Sequence, residues 1–128
     1  MTEPFWLTIE VALAIHDEQI AAHGGLRGIR DASMLESALD RAANKWAYEE
    51  ADLATMAAAY GYGIARNHPF ADGNKRTALL AIYTLLGING VDFLVSEPAF
   101  AAIILDLAAG EVSEESLARW IRDNWPKA

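Results

Sequence analysis

Cysteine is absent from the 128 residues. That excludes disulfides and thiolate metal sites, and it fits a reducing compartment. Basic residues are scarce. Ten Lys and Arg stand against eighteen Asp and Glu, giving a net charge of -8. A nucleic-acid binder needs a basic face for the phosphate backbone, and an anionic membrane surface demands the same, so neither partner is expected. Long apolar runs are missing too. The longest lie around 78–88 and 99–109, short of the about 20 residues that cross a bilayer. The opening residues, MTEPFW, have neither the basic nor the apolar region of a secretory signal. The expectation is a soluble cytoplasmic protein. With 53% hydrophobic residues there is no case for disorder. The length suits one domain, residues 1–128, with a core of its own.

What is present reads as helix after helix, with no linker, repeat or low-complexity stretch. Thr8 is a suitable N-cap for a helix over about 8–23, and Gly24 supplies a left-handed stop. A second helix covers about 32–44. Ser33 and Glu36 have capping-box spacing there, and Asp31 is a rival cap. Leu53, Met56, Tyr60 and Ile64 recur at helical spacing, which predicts a third helix over about 52–67. Residues about 74–88 are apolar nearly all round, the mark of a helix buried at the centre of a bundle. Ser96 with Pro98 starts a fifth helix that Gly110 stops, and Ser113 with Glu114 and Glu115 starts a sixth, running to about 124. No segment alternates with period 2. The predicted fold is all-α, a compact bundle of about six helices around the buried central helix 74–88.

One stretch, "HPFADGNKR" from His68 to Arg76, breaks this pattern. Pro69 blocks continuation of the third helix, Gly73 permits unusual backbone angles, and Asn74 stands where the central helix needs an N-cap. Each residue has a plain reading: Asp72-Gly73 is a common turn, and Lys75 and Arg76 suit a solvated helix face. Together they read differently. The first amides of a helix have no intrahelical partner and attract anions. Lys75, Arg76 and the upstream Arg66 place three of the ten basic residues within 66–76 of an acidic chain, which suggests a bound phosphate. Asp72 beside a phosphate calls for a cation between them, and Mg²⁺ is the natural one. His68 is a group able to take a proton near neutral pH. Phe70 is expected to plug into the core and fix the loop. His16 and His23 carry no supporting pattern and are assigned to surface or helix-end positions, and Gly24, Gly25 and Gly28 to turns.

The stretch resembles the signature loop of the Fic/Doc family, and more closely its death-on-curing branch, whose pattern is near H-x-F-x-D-x-N-K-R. The likeness extends to "IHDEQIAAHGGLRGIRDASMLESAL", "AYEEADLATMAAAYGYGIARNHPF" and "GEVSEESLARWIRD", nearly the whole chain. It implies an all-α Fic fold with ATP and Mg²⁺ as co-substrate. It also implies His68 as general base, Phe70 as loop anchor, Asp72 on Mg²⁺, and Gly73, Asn74, Lys75 and Arg76 around the phosphates, with Arg66 as a helper. The Gly-rich segment 23–31 would be the flap that positions the target.

AMP-transferring members of the family carry Gly where this chain has Lys75, and a second Arg where it has Leu79. In the death-on-curing branch the Lys-bearing pattern goes with an inverted nucleotide whose γ-phosphate reaches the target. The resemblance therefore implies a protein kinase toxin acting on a translation factor, elongation factor Tu. An AMP-transferring enzyme and an inactive interaction module are the alternatives. Self-inhibited relatives carry [ST]-x-x-x-E-[GN], and no Glu of this chain has Ser or Thr four residues before it. Restraint is thus expected from outside, from an antitoxin protein whose C-terminal segment folds on binding.

Overall fold

The computed structural model describes residues 3–48 and 52–127. Six helices follow one another: α1 (Ile9–His23), α2 (Ala32–Tyr48), α3 (Leu53–Asn67), α4 (Asn74–Ile88), α5 (Glu97–Ala108) and α6 (Glu114–Asp123). Their starts are set by local chemistry. Thr8 accepts from the Val11 amide, Asp52 from Thr55 and Ser113 from Ser116, and each satisfies an amide that the first helical turn leaves without a partner. At α2 the cap is Asp31, whose Oδ1 accepts from the amides of Ser33 and Met34 at 3.0 and 3.2 Å. The Ser33–Glu36 capping box does not form: the Ser33 hydroxyl is itself a donor to Asp31. The same helix runs to Tyr48 rather than 44. Trp46, in the added turn, packs on the core and meets Trp6 edge to face at 6.4 Å, and such tertiary contacts override a weak local signal.

The centre of the bundle is shared by two helices. α4, the expected central element, buries Thr77, Ala78, Ala81, Ile82, Leu85 and Leu86, but α3 is the more enclosed, with ten of its fifteen residues buried. α3 packs against α2, α4, α5 and α6, whereas α4 packs against α1, α3 and α5. Small side chains let it approach so many neighbours. A Cβ added at Gly63 would lie 2.8 Å from the Ala38 backbone of α2, and one at Gly61 would lie 2.5 Å from Ile82 of α4. The backbone approach at Gly63 has room for glycine alone, whereas at Gly61 the Ile82 side chain would have to yield.

Two further contacts bring distant segments to the α3–α4 junction. The segment between α1 and α2 lies antiparallel to the α3–α4 loop, with an isolated bridge between Ile29 and Phe70. The fifth helix stands across from the start of α4. No helix among the described residues is long and apolar enough to cross a membrane.

Candidate active site

The break between α3 and α4 begins at His68, the one residue other than glycine with positive φ (50°) among the described residues. Pro69 bars the right-handed helical region to the residue before it, and His68 takes the left-handed region, which carries a strain of about 1–2 kcal/mol. The Gly-rich segment holds it there. Arg30 donates from Nε to the His68 carbonyl at 2.7 Å and from Nη2 to the Asn67 carbonyl at 2.8 Å. The amides of Arg30 and Asp31 donate to the Pro69 carbonyl at 2.8 and 3.0 Å, and the Ala71 amide donates to the Gly28 carbonyl. The carbonyl of Asn67, the last residue of α3, and those of His68 and Pro69 are thereby satisfied, and the exposed His68 side chain is left at the rim of a cleft.

Phe70 is the anchor the sequence suggested, only 1% exposed. The start of α4 differs from expectation. Gly73 (φ 74°), not Asn74, occupies the N-cap position, and no side chain caps the helix. Asn74 turns back instead. Its Oδ1 accepts from the Phe70 amide and its Nδ2 donates to the Phe70 carbonyl, both at 3.0 Å. The asparagine thus staples the loop shut and leaves the first amides of α4 directed outward, uncapped, with Lys75 and Arg76 exposed on the same turn. That combination of uncapped amides, helix dipole and two cations suits an anion.

Asp72 sits beside it. Its Oδ1 accepts from the Gly73 amide at 2.9 Å and its Oδ2 from the Leu26 amide at 3.3 Å. Each oxygen keeps a lone pair for another partner. At the crossing Gly25 has φ 117°, and a Cβ there would lie 2.7 Å from the Asp72 Oδ2 and push the carboxylate aside.

His68, Asp72, Gly73, Asn74, Lys75 and Arg76 all line one cleft of about 580 Å³, whose remaining wall is largely apolar: Leu79 from α4 and Ala101, Ile104 and Leu105 from α5. Sequence reasoning missed the α5 wall, because nothing local ties residues 101–105 to the loop. Arg66 is not among the lining residues. It is exposed, lies 5.6 Å over the Tyr62 ring, and faces a separate polar cleft with Arg41, Glu114 and the α5–α6 turn. Its place on the last turn of α3 directs it to the other side of that helix, so the basic side chains lining the site are Lys75 and Arg76. His16 is a second correction. It is 2% exposed, stacked on Phe70 with ring centres 3.9 Å apart, and hydrogen-bonded through Nε2 to the Asp72 carbonyl.

No cluster of three or more metal-ligating side chains exists among the described residues. The donor set at Asp72, one carboxylate beside the uncapped start of α4, suits Mg²⁺, which takes one or two carboxylates and completes its shell with phosphate oxygens and water.

Comparison with known proteins agrees with this geometry. The profile of the Fic/DOC family matches residues 6–86, from before α1 almost to the end of α4. The chain is 40% identical over 114 residues to the protein kinase doc of Escherichia phage P1, covering 88% of this chain and 90% of the relative. It is 38% identical over 105 residues to the toxin Doc of Mycolicibacterium smegmatis, covering 72% and 81%. The cleft, the stapled loop and these matches together place the chain in the Fic/DOC family, on its death-on-curing (Doc) side.

Proposed function

We propose that this chain is a Doc-type toxin that transfers the γ-phosphoryl group of ATP to a hydroxyl of a translation factor, elongation factor Tu by the family resemblance. The observation that carries the proposal is the diversion of Asn74 to Phe70, which opens the N-terminus of α4 at the floor of a cleft rimmed by His68 and Asp72. The kinase name of the phage P1 relative supports the reaction class.

In this reading the amides of the first α4 turn, with Lys75 and Arg76, bind the phosphates. Asp72 holds Mg²⁺, which when bound offsets charge on the phosphate oxygens. The apolar α5 wall takes the uncharged part of the nucleotide. His68 removes the proton from the target hydroxyl. That oxygen forms a bond to the γ-phosphorus, and the bond from phosphorus to the β–γ bridging oxygen breaks. ADP leaves with the electron pair, and the proton stays on His68 until solvent takes it. Such a base contributes about 10²–10⁴-fold to the rate. The exposed position of His68 suits a macromolecular substrate that must bring its own hydroxyl to the rim.

The toxin Doc relative supports a restraining partner, an antitoxin whose C-terminal segment orders on binding. Action on a translation factor puts the protein in the cytoplasm, as one domain spanning residues 1–128. Purified elongation factor Tu incubated with the protein and ATP labelled at either the α or the γ position tests the reaction. Label from the γ position on the factor is expected. Label from the α position identifies AMP transfer and sinks the kinase reading.

A further inference from the structure

His16 lies on α1, 56 residues from the loop it touches. Its Nε2 is 2.8 Å from the Asp72 main-chain oxygen. A carbonyl oxygen only accepts, so the Nε2 must carry the proton. The ring is also stacked nearly parallel on Phe70, with an interplanar angle of 6°. The imidazole is therefore fixed in plane by the stack and in direction by the hydrogen bond.

The carbonyl it binds belongs to the peptide between Asp72 and Gly73. A peptide unit is planar, so its C=O and N–H turn together. The N–H end of this same unit is the Gly73 amide, which donates to the Asp72 Oδ1 at 2.9 Å. Holding the carbonyl therefore holds the donor that orients the carboxylate. Restraint is needed at this point. Gly73 has φ 74°, and glycine populates positive and negative φ with similar ease, so the preceding peptide plane is otherwise free to rotate. Phenylalanine in place of His16 would fill the same space against Phe70 but offer no donor to the carbonyl.

We propose that His16 is a positioning residue of the site: its Nε2–H locks the Asp72–Gly73 peptide plane and so presents the Asp72 carboxylate to a divalent cation. This rests on the reading that the cleft takes Mg²⁺ with a nucleotide. Partners that orient a metal-binding group from outside typically alter metal affinity by about 10–100-fold when removed.

The test compares the full chain with His16→Phe, which keeps the stacked ring and loses the donor, and His16→Gln, which restores an N–H near the Nε2 position. Two quantities are read: hydrogen exchange at the Gly73 amide by NMR, and affinity for a non-hydrolysable ATP analogue with and without Mg²⁺. His16→Phe is expected to exchange Gly73 about tenfold faster and to lose about tenfold in Mg²⁺-dependent affinity, with metal-free affinity unchanged. His16→Gln is expected to stay close to the parent in both. If His16→Phe does not fold, His16→Met, also donorless, replaces it. Parent-like Gly73 exchange and parent-like Mg²⁺ dependence in the donorless variant overturn the proposal. A parent that binds the nucleotide with no Mg²⁺ dependence overturns the Mg-nucleotide reading instead, while Gly73 exchange still decides whether His16 locks the peptide.

Discussion

Asn74 grips the main chain of Phe70 at both ends, accepting from its amide and donating to its carbonyl at 3.0 Å each. The amide side chain that sequence logic assigns to capping α4 is thus committed to the loop, and the helix N-terminus stays available to a ligand. Asn74→Asp keeps the acceptor, loses the donor and puts a negative charge at the anion site. The lost donor costs about 1 kcal/mol, partly offset by the favourable charge at the helix N-terminus, and the carboxylate repels the phosphates, so ATP binding is expected to weaken by about tenfold. Thermal melts and calorimetric titration separate the two effects, and a variant with parent-like ATP affinity argues against the anion site.

Gly25 and Gly28 offer a matched pair. Both have positive φ, 117° and 104°, yet a Cβ at Gly28 meets nothing within 4 Å, whereas one at Gly25 meets the Asp72 carboxylate. Each change to Ala is expected to cost about 1–2 kcal/mol of backbone strain. Only Gly25→Ala is expected to reduce Mg²⁺-dependent nucleotide binding, measured alongside Gly28→Ala. Equal effects from the two variants indicate that strain, not the carboxylate, is responsible.

Legibility in the sequence falls with distance along the chain. Caps at Thr8 and Ser113 act within three residues and are readable from residue type and spacing. The loop anchor Phe70 was readable as an apolar residue set in a polar stretch. His16 was not: its partners, Phe70 and Asp72, come from a helix boundary far along the chain, and no periodicity marks the pairing. Arg66 misled because nearness in sequence to His68 hides the rotation of a helix, which turns the two residues to different clefts. The choice of Asp31 over Ser33 at α2, and of Gly73 over Asn74 at α4, depended on which of two nearby residues found a better partner elsewhere.

The helix α3 holds its place by being thin. Gly63→Ala inserts a methyl 2.8 Å from the Ala38 backbone, which cannot yield as a flexible side-chain tip would. Overpacking of this type costs about 1–3 kcal/mol. Urea denaturation is expected to show a lower midpoint with an unchanged slope, and an unchanged midpoint contradicts the close α2–α3 approach.

Acid weakens one contact in a defined direction. Arg122 of α6 donates Nε to the Asp52 Oδ2 at 2.7 Å and Nη2 to Oδ1 at 3.1 Å. That hydrogen-bonded guanidinium, helped by Thr55, holds the Asp52 carboxyl well below the usual carboxylate range, and Asp52 in turn raises the Arg122 guanidinium. A depressed carboxyl stabilises the fold above its unfolded-state value of about 3.9, and the contribution is lost as pH falls below that value toward the lowered folded one. Both side chains are about half exposed, 48% and 50%, so solvent screens the pair and its worth is about 1 kcal/mol at most. Asp52→Asn retains an N-cap and loses the ion pair. Its deficit in urea denaturation is expected at about pH 7 and is expected to shrink toward about pH 3. A deficit that does not change with pH contradicts the ion-pair origin.

In the proposed reaction His68 activates a hydroxyl of a translation factor toward the γ-phosphate of ATP held at the start of α4. Intact-mass analysis of elongation factor Tu, incubated with ATP, Mg²⁺ and either the parent or His68→Ala, tests it most directly. The account predicts a gain of one phosphoryl group with the parent. With the variant it predicts a rate lower by about 10²–10⁴-fold, although that variant binds ATP as tightly as the parent. A gain of one AMP, no gain with the parent, or an undiminished rate with His68→Ala contradicts it.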